Sequence, residues 1–166
     1  MTLKHLSIAL LVALLASSGC KKDEEPTPTP TPTPKEITPG VGITEVKIGD
    51  AAQVAIDLYG VPFPSYGASN GTYTHFLVYT SKGVVVYCVP TTESTFNAQM
   101  KIASLKFDAP FDGKTSKGIG IGSTKAAVKA AYGDPTSSSA FFGDEYAIGI
   151  TFVYDSGDKV ESIEVE

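Results

Sequence analysis

The residue types that ordinarily do chemistry are scarce in this chain. Its 166 residues include two cysteines, two histidines and no arginine. His5 and Cys20 lie near the start, which leaves His75 and Cys88 in the body of the sequence. A cysteine nucleophile needs an adjacent base and some exposure, and His75 is the histidine that could serve Cys88. Yet Cys88 sits in the apolar run Gly83-Val84-Val85-Val86-Tyr87-Cys88-Val89, where it reads as a small buried hydrophobe. His75 alternates with Tyr73, Leu77 and Tyr79, which predicts a satisfied, partly buried side chain on one strand face. Asp155, Gly157 and Asp158 carry oxygens that suit Ca²⁺ but lack EF-hand spacing. They read as a hairpin turn, and Asp108, Asp112 and Gly113 read the same way. Gly118, Gly120 and Gly122 in KGIGIGST lack a P-loop lysine and the GxGxxG spacing, so they read as a strand feeding a helix cap. No catalytic set, metal or cofactor is expected, and the chain reads as a non-enzyme.

Cys20 needs a different account. Leu6 to Ala16 (LSIALLVALLA) is apolar and follows Lys4. It is shorter than the roughly 20 residues of a membrane span and fits the h-region of a secretory signal peptide, with small residues Ser17, Ser18 and Gly19 behind it. The stretch Leu15-Ala16-Ser17-Ser18-Gly19-Cys20 resembles the lipobox of bacterial lipoproteins, with Ser17 where that family usually carries leucine. The resemblance implies that residues 1–19 are a signal peptide and that the Cys20 thiol receives a diacylglycerol. Two or more acyl chains hold a protein stably on a membrane, at about 0.8 kcal/mol per buried CH₂. The following Lys21-Lys22-Asp23-Glu24-Glu25 is either a solvated charge cluster or an export tag. In the second reading CKKDEE resembles the acidic tag of surface lipoproteins in some Gram-negative bacteria. The expected address is the outer membrane, by lipid anchor, with the cell surface as one option.

Pro26 to Pro34 reads PTPTPTPTP. Alternate prolines fix φ and remove backbone donors, so this is a stiff polyproline II spacer of roughly 28 Å, at about 3.1 Å per residue. Residues 20–42 therefore form a lipid attachment point and tether, and residues 43–166 form one domain. The net charge is −5, and loss of Lys4 with the leader makes it one unit more negative. An acidic chain without arginine is a poor match for nucleic acid, where phosphate contacts dominate affinity.

Within residues 43–166 the sequence repeats. IGDAAQVAIDLYGVP (Ile48 to Pro62) aligns without a gap with IGSTKAAVKAAYGDP (Ile121 to Pro135). Each predicts a short helix. Asp50 and Ser123 are the expected N-caps, Gln53 a capping-box partner, and Gly60 and Gly133 the left-handed stops before proline. Val54, Ala55, Leu58 and Tyr59 form one expected apolar stripe, and Ala127, Val128, Ala131 and Tyr132 the other. KIASLKF (Lys101 to Phe107) matches KVESIEV (Lys159 to Val165), which assigns Leu105, Phe107, Ile163 and Val165 to the core. Between helix and final strand lie Tyr73 to Thr80 and Gly83 to Val89 in one unit. The other has Ser138 to Phe142, a Gly143-Asp144-Glu145 turn and Tyr146 to Tyr154. Asn70-Gly71 is a turn signal. The fold class is thus α+β: two tandem α-β-β-β repeats, about 43–109 and 117–166, forming one antiparallel sheet with helices packed on one face.

This layout resembles the fold shared by the β-lactamase inhibitory protein and the small outer-membrane-assembly lipoproteins of the SmpA/OmlA kind. The resemblance is carried by Ile121-Gly122-Ser123-Thr124-Lys125 through Tyr132-Gly133-Asp134-Pro135, with Ala51-Ala52 replacing Thr-Lys in the first copy. It implies the fold, and by analogy a role as inhibitor of a hydrolase, but no contact residue carries over. Apart from it, Phe63, Tyr66, Phe76, Phe141, Phe142 and Tyr146 are candidate ligand-binding aromatics, each either a binding anchor or a core plug. The face of Tyr73 to Thr80 opposite His75 carries Thr74, Phe76 and Val78 and would receive a partner if the helices cover one side alone. The expected function is a lipid-anchored, non-catalytic binding or scaffolding module with a protein or glycan partner. The alternative is an inhibitor of a β-lactamase or protease.

Overall fold

The computed structural model describes residues 35–166; Cys20, the apolar stretch before it and the Thr/Pro tract lie outside the described residues. In chain order the elements are β1 (Glu36–Ile37), α1 (Ala52–Tyr59), β2 (Phe63–Ser69), β3 (Thr72–Tyr79), β4 (Val84–Cys88), β5 (Ile102–Asp108) and β6 (Lys114–Thr115). They continue with α2 (Lys125–Tyr132), β7 (Ser137–Ser139), β8 (Gly143–Tyr146), β9 (Ile150–Tyr154) and β10 (Val160–Val165). Eight strands form one antiparallel sheet in the order β2-β3-β4-β5-β10-β9-β8-β7. β1 and β6 pair separately, in parallel. The chain is α+β, and no helix among the described residues is long and apolar enough to cross a membrane.

Period-two alternation divides the sheet into a dry and a wetter face. Leu77, Val86, Leu105, Phe107, Ile150, Phe152, Ile163 and Val165 are fully buried. At the centre Phe107 pairs with Ile163 and Leu105 with Val165, so the four residues assigned to the core from KIASLKF and KVESIEV meet face to face. Ala52 and Ala55 of α1 and Val128 of α2 join this same cluster. Burying each large aliphatic side chain stabilises the fold by about 1.5–3 kcal/mol.

Each helix precedes four strands of the main sheet, where the sequence predicts three. The extra strand in the first half is β2. Its FPSYGAS sequence contains proline and glycine and reads as loop, but β2 is an edge strand, where a missing N–H is tolerated. Asn70 and Gly71 (φ 48° and 76°) close the β2–β3 hairpin in the two-residue turn their types favour. In the second half Tyr146 to Tyr154 is not one strand. Gly149, with φ 78°, turns the chain between β8 and β9, and the expected turn at Gly143-Asp144-Glu145 is itself strand.

The helix starts also differ. The N-caps are Ala51, without a side-chain bond, and Thr124, whose Oγ1 accepts from the Ala127 N–H at 3.2 Å. Asp50 and Ser123 act one residue earlier, accepting instead from the N–H of Lys47 (2.9 Å) and of Gly120 (3.0 Å). Gln53 donates to Asp57 and closes no capping box. Of the expected stripes Ala55 and Val128 are buried and Tyr59, Ala131 and Tyr132 pack against the core, while Val54, Leu58 and Ala127 face solvent and Ala52 is buried instead.

The chain joins the compact body before residue 43. Glu36–Ile37 pairs with Lys114–Thr115, and Ile37, Ile43 and Val46 are buried in the main cluster.

The same local geometry recurs in both halves. Gly49 N–H donates to the Ile102 carbonyl and Ile102 N–H to Asp50, while Gly122 donates to Val160 and Val160 to Ser123, all at 2.8–2.9 Å. Tyr59 meets Tyr79 at 5.0 Å between ring centroids and 50°; Tyr132 meets Tyr146 at 5.4 Å and 50°. Lys35 lies over the Tyr59 ring at 5.0 Å and Lys117 over the Tyr132 ring at 4.3 Å.

Candidate functional site: the sheet face without helices

Residues that alternate with the core point to the other face, which no helix of the described residues covers. One row runs through seven strands: Val78, Val85, Lys106, Glu164, Thr151, Glu145 and Ser137. A parallel row places Phe76 opposite Tyr87 and Tyr87 opposite Ser104. The face therefore has two wings. Over β3 and β4 it is apolar, built on the Phe76–Tyr87 contact (5.7 Å between centroids) with Val78 and Val85 beside it. Over β5, β10, β9 and β8 it is polar and mostly acidic.

The electrostatics follow burial. Desolvation pushes the Tyr87 phenol above its ordinary pKa, against the pull of Lys106. Burial also pushes the Glu164 carboxyl up, although Ser104 donates to it at 3.3 Å. Lys106 pairs with Asp108 at 3.2 Å, both about a third exposed, and such a pair contributes at most about 1 kcal/mol. Two hollows mark the face. One of about 170 Å³ is bordered by Val78, Val85 and Asp108. Another of about 300 Å³ is bordered by Phe142, Glu145, Thr151 and Glu164. An apolar patch with adjoining charge can bind a partner chiefly through its aromatic residues.

The candidate aromatics separate. Phe76 is half-buried at the centre of the apolar wing. Phe142 borders the acidic hollow, and with Phe141 it forms the β7–β8 hairpin tip, 78 % and 88 % exposed. Both tip N–H groups donate to Ser139 Oγ. Tyr66 is exposed but lies on the opposite face, opposite His75 in the β2–β3 ladder, within an edge cluster of Tyr73, His75 and Phe96. Tyr146 is a core plug: it is buried, and its hydroxyl donates to the Gly133 carbonyl at 3.3 Å. The backbone of Phe63 pairs with Val78, and its side chain lies outside what is described. Tyr87 and Val85 were not among the candidates, although alternation in GVVVYCV puts both on the face of Phe76.

His75 and Cys88 both lie inside. His75 is 2 % exposed, with Nε2 at 2.8 Å from the Glu93 carbonyl, which places the ring proton on that nitrogen. Cys88 is fully buried, and burial pushes its thiol up to about 11. It is a neutral thiol at pH 7, a poor nucleophile. Asp155 accepts from the N–H of Gly157 (2.8 Å) and of Lys159 (3.0 Å), as a turn residue does. Comparison with family models, with curated proteins and with solved structures gives no match for this chain.

Proposed function

We propose that this chain is a lipid-anchored, non-catalytic recognition or scaffolding module held at the outer membrane through Cys20. Its binding surface is the helix-free sheet face, and its partner is a protein or a glycan. The observation that carries the reading is the Phe76–Tyr87 pair, flanked by Val78 and Val85, on a face that no described helix covers. The lipobox-like stretch before Cys20 and the Thr/Pro spacer supply the anchor. The domain is read as a duplicated unit of one helix and four strands. The matching hydrogen bonds at Gly49/Ile102 and Gly122/Val160, and the matching tyrosine pairs, support that descent. The test has two arms. Cys20→Ser should release the protein from membranes and abolish labelling by palmitate. The native chain used as bait in envelope extracts should retain a partner that Phe76→Ser/Tyr87→Ser does not. Membrane retention of Cys20→Ser refutes the anchor, and an unchanged bait profile refutes the surface.

A second reading, inhibition of a hydrolase such as a β-lactamase or protease, is favoured by one feature. The Phe141–Phe142 tip projects two adjacent, strongly exposed aromatic rings from a tight hairpin, a shape suited to entering a cleft. Unchanged rates for a panel of both enzyme classes would exclude it.

A further inference from the structure

A cavity of about 340 Å³ lies beside the C-terminal end of α1, away from the helix-free face. Tyr59, Pro110 and Phe111 form its apolar walls, and Lys35, Ser81, Lys82 and Asp112 its polar ones. The walls are held rigidly. Gly83 has φ 62°, and a methyl there would fall 2.1 Å from the Asp108 carbonyl oxygen. Asp108 N–H donates to Gly83 O and Phe111 N–H to Asp108 O, both at 2.9 Å. Phe111 stacks on Phe107 with centroids 4.5 Å apart.

The other half of the fold is an internal control. There Lys117 lies over Tyr132 and donates to the Ala131 carbonyl at 2.7 Å, and Tyr146 donates to Gly133. Tyr146 pairs with Ile150 at the end of its strand, as Tyr79 pairs with Val84. In the first half the corresponding groups are unmet. The hydroxyls of Tyr59 and Tyr79 are buried without partners, as is that of Tyr154 in the other half. Lys35 lies over the Tyr59 ring and reaches Glu45 at 3.9 Å, and Lys82 makes no ion pair among the described residues. Two lysines, Lys35 and Lys82, thus border the cavity, with Asp112 the carboxylate in its lining. The lining therefore carries more cationic than anionic side chains.

We propose that this cavity binds a small organic carboxylate with an apolar body. The carboxylate accepts from Lys82 and Lys35, and the body lies against Tyr59, Pro110 and Phe111. The volume falls at the lower end of small-molecule sites, about 300–1,000 Å³. Phe76 and Tyr87, which carry the proposed sheet-face surface, do not line this cavity, so either reading can fail alone.

The test titrates benzoate and benzamide into the full chain, read by saturation-transfer NMR and calorimetry. Benzoate should bind saturably and benzamide about tenfold more weakly, the ratio expected for one charge-assisted hydrogen bond. Lys82→Met should weaken benzoate by a similar factor, and Ser81→Trp, on an exposed turn, should block it. Circular dichroism checks that each variant is folded, with Lys82→Gln as the replacement if Lys82→Met is not. No saturable benzoate binding up to about 10 mM, well beyond a weak millimolar site, overturns the proposal. Equal binding of the two probes overturns it, as does benzoate binding unchanged in the folded variants.

Discussion

The rings of Tyr59 and Tyr79 lie 5.0 Å apart at 50°, and neither hydroxyl has a hydrogen-bond partner. Tyr146 meets Tyr132 at a similar 5.4 Å and 50° but donates to Gly133. Phenylalanine should therefore act oppositely at the two positions. Tyr79→Phe removes an unmet polar atom and should raise stability by about 1 kcal/mol, whereas Tyr146→Phe removes a bond and should lower it by about the same amount. Urea midpoints read both, and equal shifts of one sign would contradict the assignment.

Alkaline pH should unfold the protein earlier than its surface charge would require. Burial pushes the Tyr59 phenol up to about 12, with help from the Glu45 charge, and the Tyr79 phenol up to about 12, from 10.0. Burial also pushes the Cys88 thiol from 9.0 to about 11. The unfolded chain sheds these protons first, so between about pH 9 and 12 it binds fewer than the folded chain, and stability falls as pH rises. Denaturant midpoints from pH 7 to 11.5 should decline above pH 9. Cys88→Ala should flatten the early part of the decline, and an unchanged profile would refute the thiol's share.

Neighbours on β3 should separate folding from binding. Leu77 is fully buried, and Leu77→Ala should cost about 2–5 kcal/mol. Phe76 points to the helix-free face and is half-buried, so Phe76→Ser should leave a folded protein that no longer holds its partner. Circular dichroism with the bait experiment distinguishes the two, and loss of the fold in Phe76→Ser would place that side chain in the core.

Asp144 is 4 % exposed and accepts from Ser138 at 2.6 Å and from Lys125 at 3.3 Å. Burial pushes its carboxyl up, but these partners outweigh it and hold the group below its ordinary value. Its stabilisation is present above pH 4 and is lost as pH falls through the depressed value. Asp144→Asn should cost about 1–3 kcal/mol at pH 7 and remove part of the acid sensitivity, which midpoints between pH 2 and 7 would reveal.

The central strand pair was readable because Leu105, Phe107, Ile163 and Val165 alternate cleanly and match between halves. The Asn70-Gly71 turn was readable because few residue types accept its positive φ. β2 was hidden because Pro64 and Gly67 lower strand propensity, and only its edge position excuses them. The β8–β9 break was hidden because Tyr146 to Tyr154 keeps a continuous apolar look, and the turn depends on Gly149 alone. The helix N-caps fall one residue later than their types suggest because Asp50 and Ser123, good caps by type, serve the preceding turn. Among the site residues, Phe76 came from alternation. Tyr146 stays open between anchor and plug in the sequence because a loop-adjacent tyrosine reads alike whether its hydroxyl meets solvent or a helix-end carbonyl. The 340 Å³ cavity left no trace in the sequence, since it depends on Lys35, Tyr59, Lys82 and Phe111 converging from four distant segments.

The parallel pairing of Glu36–Ile37 with Lys114–Thr115 has a mechanical consequence. A pull arriving along the chain at Lys35 meets a two-residue clip whose inner side chain, Ile37, is sunk in the main hydrophobic cluster. The clip is loaded in shear, and extracting Ile37 opens the cluster from within rather than peeling an outer edge. Force applied at the N-terminal side should therefore unravel the domain in one cooperative rupture.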